Sequence, residues 1–501
     1  MKNKRLLSAL LAALMLVGPL ASCASGDEPG ETKDNAVTTA AREEDTEIAD
    51  DLPDDLDYAG EEIVIISRDL EGWTRGEIAV DSLISEPVND AVFERNKAVE
   101  QRLNIKINSL TEKTNDPTVV PNKVVTSVQA GTGEYDIMAG AAYTTFPHTL
   151  TGNFANLQGT EFLDLDKPYW TQGLNEAVSY DGMQFIATGS MLLSIYRFAF
   201  VTVFNKDLFT DANQPWLYDT VEEGKWTLDK QISLVPLFYK DDGDGVQEAD
   251  SDIYGFISST MIGVDPYWSS CQLDIIRKNS TGDLELILDT NKLHETTDKV
   301  LELYWGTDGG TYALAGYNKD SEQDDIRNMF AQGQGAMATL RIMALENSVM
   351  RDMEQEYGVI PMPKFDEQQD GYNTMLHDQF TVVTIPTTVT DDRLDMVSAV
   401  MEALGSSSYK IVKPAYYETT LRTKIAQDPQ SALMMDIITE GIYIDLGIIY
   451  TDCGVHAGMR AMVVEKNNNT ASRYKTVIKK TKNLLTGMVK KLDKLSGQQA
   501  S

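Results

Sequence analysis

The segment KDDGDGVQEADS, residues 240–251, concentrates oxygen ligands in a way that could bind a metal. Set against a twelve-residue EF-hand-type loop, with Gly245 at the sharp turn of position six, it puts Asp242, Asp244 and Glu248 at positions three, five and nine. Val246 would offer its carbonyl at position seven. Positions one and twelve are Lys240 and Ser251, where calcium needs an acid first and a bidentate acid last. Calcium held by Asp242, Asp244 and Glu248 is therefore one reading, and a Gly-rich solvated turn is the other. Either would brace the fold without doing chemistry. No cofactor is otherwise required.

Catalytic constellations are missing. With 77 acids in the chain, a glycosidase-like carboxylate pair somewhere is guaranteed and carries no signal. There is no G-x-S-x-G elbow, H-E-x-x-H helix or Walker-type loop. GTGEYD (131–136) precedes a strand-like run instead of opening a helix, so it is not a phosphate loop. Three cysteines and four histidines form no zinc-like cluster. The expectation is a protein that is not an enzyme.

The 501 residues suffice for two or three domains, with 42% hydrophobic content and a formal charge of −34. Such a charge repels nucleic acid phosphates and anionic membrane surfaces. At the N-terminus, Lys2, Lys4 and Arg5 precede an apolar run from Leu6 to Leu20, which has the form of a secretory signal. It ends in LASC (20–23), which resembles a bacterial lipobox, with Cys23 as the lipidated residue. No later run reaches the ~18 apolar residues of a spanning helix. The expected location is the extracytoplasmic face of the cell membrane, held by a lipid anchor alone. Residues 24–58, small, polar and rich in acids, are expected as a disordered tether. Cys271 and Cys453 could pair or remain free buried thiols.

Beyond the tether the hydrophobic periodicity alternates. EIVIIS (62–67) is a buried-strand pattern, residues 89–104 form an amphipathic helix, and IKINSL follows as a strand. Residues 119–140 give a helix, a Gly break and the strand YDIMAG. That alternation predicts an α/β fold with a parallel sheet covered by helices. MQFIATG (183–189), FAFVTVFNKDLF (198–209) and FTVVTIP (380–386) are further strand-like runs. Asn205 and Thr227 stand at helix-capping positions. The tail, 474–495, spaces Tyr474, Val477, Ile478, Leu485, Met488 and Leu492 helically, with a Lys-rich opposite face, and is expected to pack on the acidic body.

GEYDIMAG (133–140), FNKDLF (204–209), EEGKWTLDK (222–230), DIYGF (252–256), MFAQGQGAM (329–337) and YGVIPMPK (357–364) occur in order. Together they resemble the extracellular solute-binding lipoproteins of bacterial ABC importers, the family that includes maltose-binding protein. The resemblance covers nearly all of residues 60–490. It implies a two-lobed, type II periplasmic-binding-protein-like fold with ligand in the cleft between lobes joined by hinge strands. Lobe one would take residues 59–187 and 375–445, and lobe two 188–374 and 446–495. It implies a receptor that passes a mono- or oligosaccharide to ABC permease subunits and works as a monomer. A surface glycan-capture lipoprotein or adhesin without a transporter is the alternative, with a glycoside hydrolase behind it. Relatives carry a fuller DxNGDG loop, so residues 240–251 look like a degraded copy.

Sugars need aromatic faces and planar polar groups. DPYWSS (265–270) offers Asp265, Tyr267 and Trp268, and it resembles an acid–Pro–Tyr segment that faces sugar in the family. Truncating Trp268 is expected to weaken binding with little loss of fold. The resemblance also brings Tyr143, Arg68, Trp73 and Arg197 toward the cleft. Arg341 stands where relatives place an aromatic contact. Trp305, His377 and Asp378 are further candidates.

Overall fold

A computed structural model describes residues 48–248, 251–314, 322–422 and 429–499. All of them belong to one unit, Glu47–Ser501. The signal segment, Cys23 and residues 24–47 of the expected tether lie outside the described residues.

The first sheet begins with β1 (Glu61–Arg68), whose Ile63, Ile65 and Ile66 are buried. It pairs in parallel with β2 (Ile105–Glu112) and β3 (Ile137–Ala141). Parallel neighbours need crossovers, and the helices Pro87–Leu103 and Val119–Ala130 supply them. The first of these helices starts at Glu86, whose carboxylate accepts from the Val88 and Asn89 amides, and it ends on Asn104 at φ 48°. Its buried face, including Val92 and Val99, packs against the long helix Asp391–Arg422.

Five strands make the second sheet: β4 (Phe200–Asn205), β5 (Tyr254–Ser259), β8 (Thr311–Leu314), β9 (Gly335–Arg341) and β10 (Tyr357–Ile360). Their order is β10-β4-β9-β5-β8, and β4, β5, β9 and β10 are buried throughout. Strands β6 (Ile276–Lys278) and β7 (Leu284–Leu286) form a separate hairpin. Strand β11 (Thr381–Thr384) returns to the first sheet as the antiparallel neighbour of β3. Asn205 caps the helix Lys206–Asp211, and Thr227 caps Leu228–Leu234 through the Lys230 amide, as the sequence predicts.

Each sheet nucleates a lobe. The chain crosses out through residues 187–199 and back through 376–383, and these segments pair by bridges at Ala187–Val383 and Ala199–Leu376. The run 183–189 is therefore not a regular strand. Its partners are isolated bridges, and Gly189 lies so close to Tyr169 that a Cβ would clash with the Tyr169 carbonyl.

Three expectations need correcting. Residues 48–58 are not part of a free tether: Leu52 is buried in lobe one, and Asp50 takes both Nη atoms of Arg102 at 2.8 and 2.7 Å. Helix Pro429–Glu440, expected in lobe one, packs on β10 in lobe two. The C-terminal helix Thr470–Gln499 does not stay within lobe two. Tyr180 of lobe one donates to Asp493 at 2.9 Å, and Met488 and Leu492 line a small pocket together with Phe146 and Phe185. Its Lys face is exposed at Lys475, Lys479, Lys490 and Lys491. Cys271 and Cys453 are both buried and free. Among the described residues no helix is long and apolar enough to cross a membrane.

Candidate functional site

The C-terminal end of β1 delivers Arg68 to the edge of lobe one, where only 4% of its surface is exposed. Its Nη1 donates to Gln379 Oε1 at 2.8 Å, while Nε and Nη2 are buried with no hydrogen-bond partner. The turn beyond β1 is held by Thr74, whose hydroxyl donates to the Arg68 carbonyl at 2.8 Å. That turn presents Trp73. The Trp73 ring meets Phe198 edge-on at 5.3 Å and His377 at 5.5 Å. From lobe two, the last residue of β9 completes the cage: the Arg341 guanidinium lies 4.5 Å from the Trp73 ring centre, at cation–π distance.

His377 and Asp378 lie on the returning crossing segment, which the His377 amide fixes by donating to the Phe198 carbonyl at 3.0 Å. Burial drives the His377 pKa well below the ordinary value, and Arg341, Arg460, Arg68 and His456 push it in the same direction. The imidazole is therefore neutral at pH 7. Asp378 is pushed up to about 6, first by burial and then by the nearby Asp265 carboxylate, against Arg460 and Arg341. The Tyr143 amide, just beyond β3, donates to the Asp378 carbonyl at 3.3 Å.

Lobe two answers with Asp265, which is 3% exposed and gripped by Arg460 through Nε and Nη2. Three guanidinium groups thus gather around His377 against two carboxylates, in a chain whose formal charge is −34. A cavity of about 570 Å³ opens on the lobe-one side of Arg68, walled also by Ser109, Lys113 and Arg197 but not by Trp73, Asp265, Arg341, His377, Asp378 or Arg460. That is within the range of small-ligand sites.

Of the expected ligand residues, the structure brings together Arg68, Trp73, Tyr143, Asp265 and Arg341, along with His377 and Asp378. Arg197 stands beside them as a strut. Its Nε faces both Glu346 oxygens at 3.1 and 3.3 Å, and its Nη1 donates to the Trp73 and Arg75 carbonyls. It therefore ties the lobe-one turn to the chain beyond β9. Tyr267 and Trp268 are placed inward. Tyr267 donates to Gln231 at 3.2 Å, and Trp268, 1% exposed, packs on Tyr474 of the C-terminal helix at 6.2 Å. Trp268 is thus core as it stands, and the expectation that its truncation spares the fold does not survive its burial. Trp305 is also elsewhere, donating to the Val463 carbonyl at 2.9 Å. Sequence reasoning missed Arg460 and His456. They are four residues apart on helix His456–Glu465, which puts them on one face, and that spacing was a legible signal.

The acidic loop differs in detail from its sequence alignment. The carboxylates that converge are those of Asp241, Asp242 and Asp244, all exposed and within 4.8 Å of one another. Asp241 enters because its Oδ1 accepts from the Gly243 and Gly245 amides, at 2.8 and 3.2 Å, which winds the turn around it. Glu248 is not among them, and its amide donates to Asp252 Oδ2 at 3.3 Å. Buried Asp252 also accepts from the Asp242 amide and the Tyr254 hydroxyl, so the loop is braced from inside.

No protein-family model matches the chain. No curated protein matches it either. Solved structures do. An ABC substrate-binding protein from Listeria monocytogenes in complex with cycloalternan is 15% identical at a TM-score of 0.53, over 85% of this chain and 99% of its own. An ABC transporter solute-binding protein from Thermotoga lettingae, bound with α-D-tagatose, is 16% identical at 0.53, over 85% and 100%. UgpB from Mycobacterium tuberculosis in complex with glycerophosphocholine is 14% identical at 0.53, over 80% and 99%. With two sheets, two crossing segments and these likenesses, the chain has the two-lobed, type II periplasmic-binding-protein fold.

Proposed function

We propose that this protein is a receptor that closes its two lobes around a small solute, without catalysis, and delivers it to the permease of an ABC transporter. One observation carries the reading: polar and aromatic side chains from lobe one (Arg68, Trp73), lobe two (Asp265, Arg341, Arg460) and the crossing segment (His377, Asp378) converge on one site. A site whose walls come from both sides of a hinge is completed only when the lobes meet, so solute binding shifts the open–closed equilibrium.

The solute class is a mono- or oligosaccharide. Trp73 supplies apolar ring surface, backed by buried Phe198, and the Arg and Asp side chains supply planar groups for hydroxyls. The solved relatives that hold cycloalternan and tagatose support this class. Cys23 would carry the lipid anchor, holding a monomeric receptor on the extracytoplasmic face. Calcium at Asp241, Asp242 and Asp244 would brace lobe two and take no part in binding.

Thermal unfolding against sugars, oligosaccharides, polyols and peptides, each with and without calcium, tests the reading. A ligand that binds only the folded state raises Tm by mass action, by about 2.7 kcal/mol of stability at a hundredfold excess over Kd. A rise with one sugar supports the proposal. A rise with peptides or polyols alone overturns the carbohydrate class, and a rise with calcium alone supports only the loop.

A further inference from the structure

Arg68 is a buried guanidinium with two of its three nitrogens paired to nothing. Gln379 takes Nη1, a neutral contact at 2.8 Å, and Nε and Nη2 remain without a partner at 4% exposure. A buried unpaired donor on a charged group is costly, and sites keep such groups where a ligand completes them. The two free atoms share one edge of the guanidinium, and that edge receives a carboxylate or phosphate side-on. This protein uses the same edge twice in that way. Arg393 holds Asp136 through Nε and Nη2, both at 2.7 Å, and Arg460 holds Asp265 through the same pair of atoms.

Among the described residues no carboxylate plays that part for Arg68. Glu77 and Asp116 act on it through space. However, Glu77 is committed to the Thr381 hydroxyl and the Ser194 amide, and Asp116 to Thr118. Arg341 adds a second cation above Trp73. Arg68 also stands in the wall of the lobe-one cavity. Deepening the receptor reading, and resting on it, we infer that the solute bears an oxyanion, a carboxylate or phosphate on a sugar, and that Arg68 grips it through Nε and Nη2.

The test is calorimetric titration of the full-length chain with matched sets: glucose, glucuronate and glucose 6-phosphate, then galactose, galacturonate and galactose 6-phosphate, then short neutral and uronate oligosaccharides. The inference predicts binding of an anionic member at least about tenfold tighter than its neutral counterpart, and the arm that binds separates carboxylate from phosphate. Arg68→Gln should lose about 10- to 100-fold in affinity for that member, the scale of a charge-assisted hydrogen-bond pair. Arg68→Lys, which keeps the charge but not the fork, should lose less. If Arg68→Gln fails to fold, the matched sets on the unaltered protein still decide. A neutral sugar that binds as tightly as its acid overturns the anion and leaves the receptor reading standing. Binding of no member in any set overturns both.

Discussion

Asp265 and Trp268 are three residues apart and do different work. Asp265 turns toward Arg460 and the crossing segment, whereas Trp268 faces the C-terminal helix through Tyr474. A single sequence shows that a loop carries an acid and two aromatics but not which way each points, since Asp265 ends the turn Ile262–Val264 while Tyr267 and Trp268 open the short helix Tyr267–Ser270. Arg68, Trp73 and Tyr143 were more legible, since each follows the end of a strand whose pattern was plain. Trp268→Ala should destabilise the protein by about 3–5 kcal/mol through the cavity it leaves, read as a fall in the urea midpoint at constant slope. A loss under about 1 kcal/mol would show that the ring is not core. Glu402 permits a second prediction at this scale. It is 1% exposed, is pushed up to about 7 by burial, and accepts from Tyr169, Trp170 and the Asp164 amide. A carboxyl that is raised in the fold favours the native state below its unfolded value, roughly 4.3, and that advantage drains away as pH rises through about 7. The Tm of the natural protein relative to Glu402→Gln should therefore fall between pH 5 and pH 8. A difference that is flat across that range would contradict the assignment.

At the scale of elements, strong periodicity survived folding and context-dependent pairing did not. The strands β1, β2 and β3 and their two helices stand where alternation put them. Residues 183–189 have a strand's composition but find only single bridges, a matter of which neighbours are in reach. The placement of helix Pro429–Glu440 was likewise invisible, since apolar spacing shows that a helix has a buried face but not which lobe covers it. The C-terminal helix shows both sides of this. Its apolar stripe was readable, but its reach from Tyr474 against Trp268 to Met488 and Leu492 against lobe one was not. Met488→Ala should cost about 2–5 kcal/mol, as a buried Met loses its contacts. Lys490→Gln, on the exposed face, should stay within about 0.5 kcal/mol. Equal effects in chemical unfolding would mean that the helix does not dock as described.

For the whole molecule, the contrast is between a strongly acidic chain and a site where three arginines meet. The acidic surface keeps the protein soluble and away from anionic surfaces, while the site collects the positive field. Crossing segments carry His377 and Asp378 between the lobes, so in the proposed receptor filling the site and closing the hinge would be one event. Arg197, bonded to Glu346 and to two lobe-one carbonyls, is the contact that must adjust as they do so. Amide hydrogen exchange tests this most directly, using whichever solute raises Tm. Slowed exchange is expected together in residues 68–75, 338–343 and 376–380, from both lobes and the crossing segment. Protection confined to one lobe, or to a surface away from His377, would contradict a site built between the lobes.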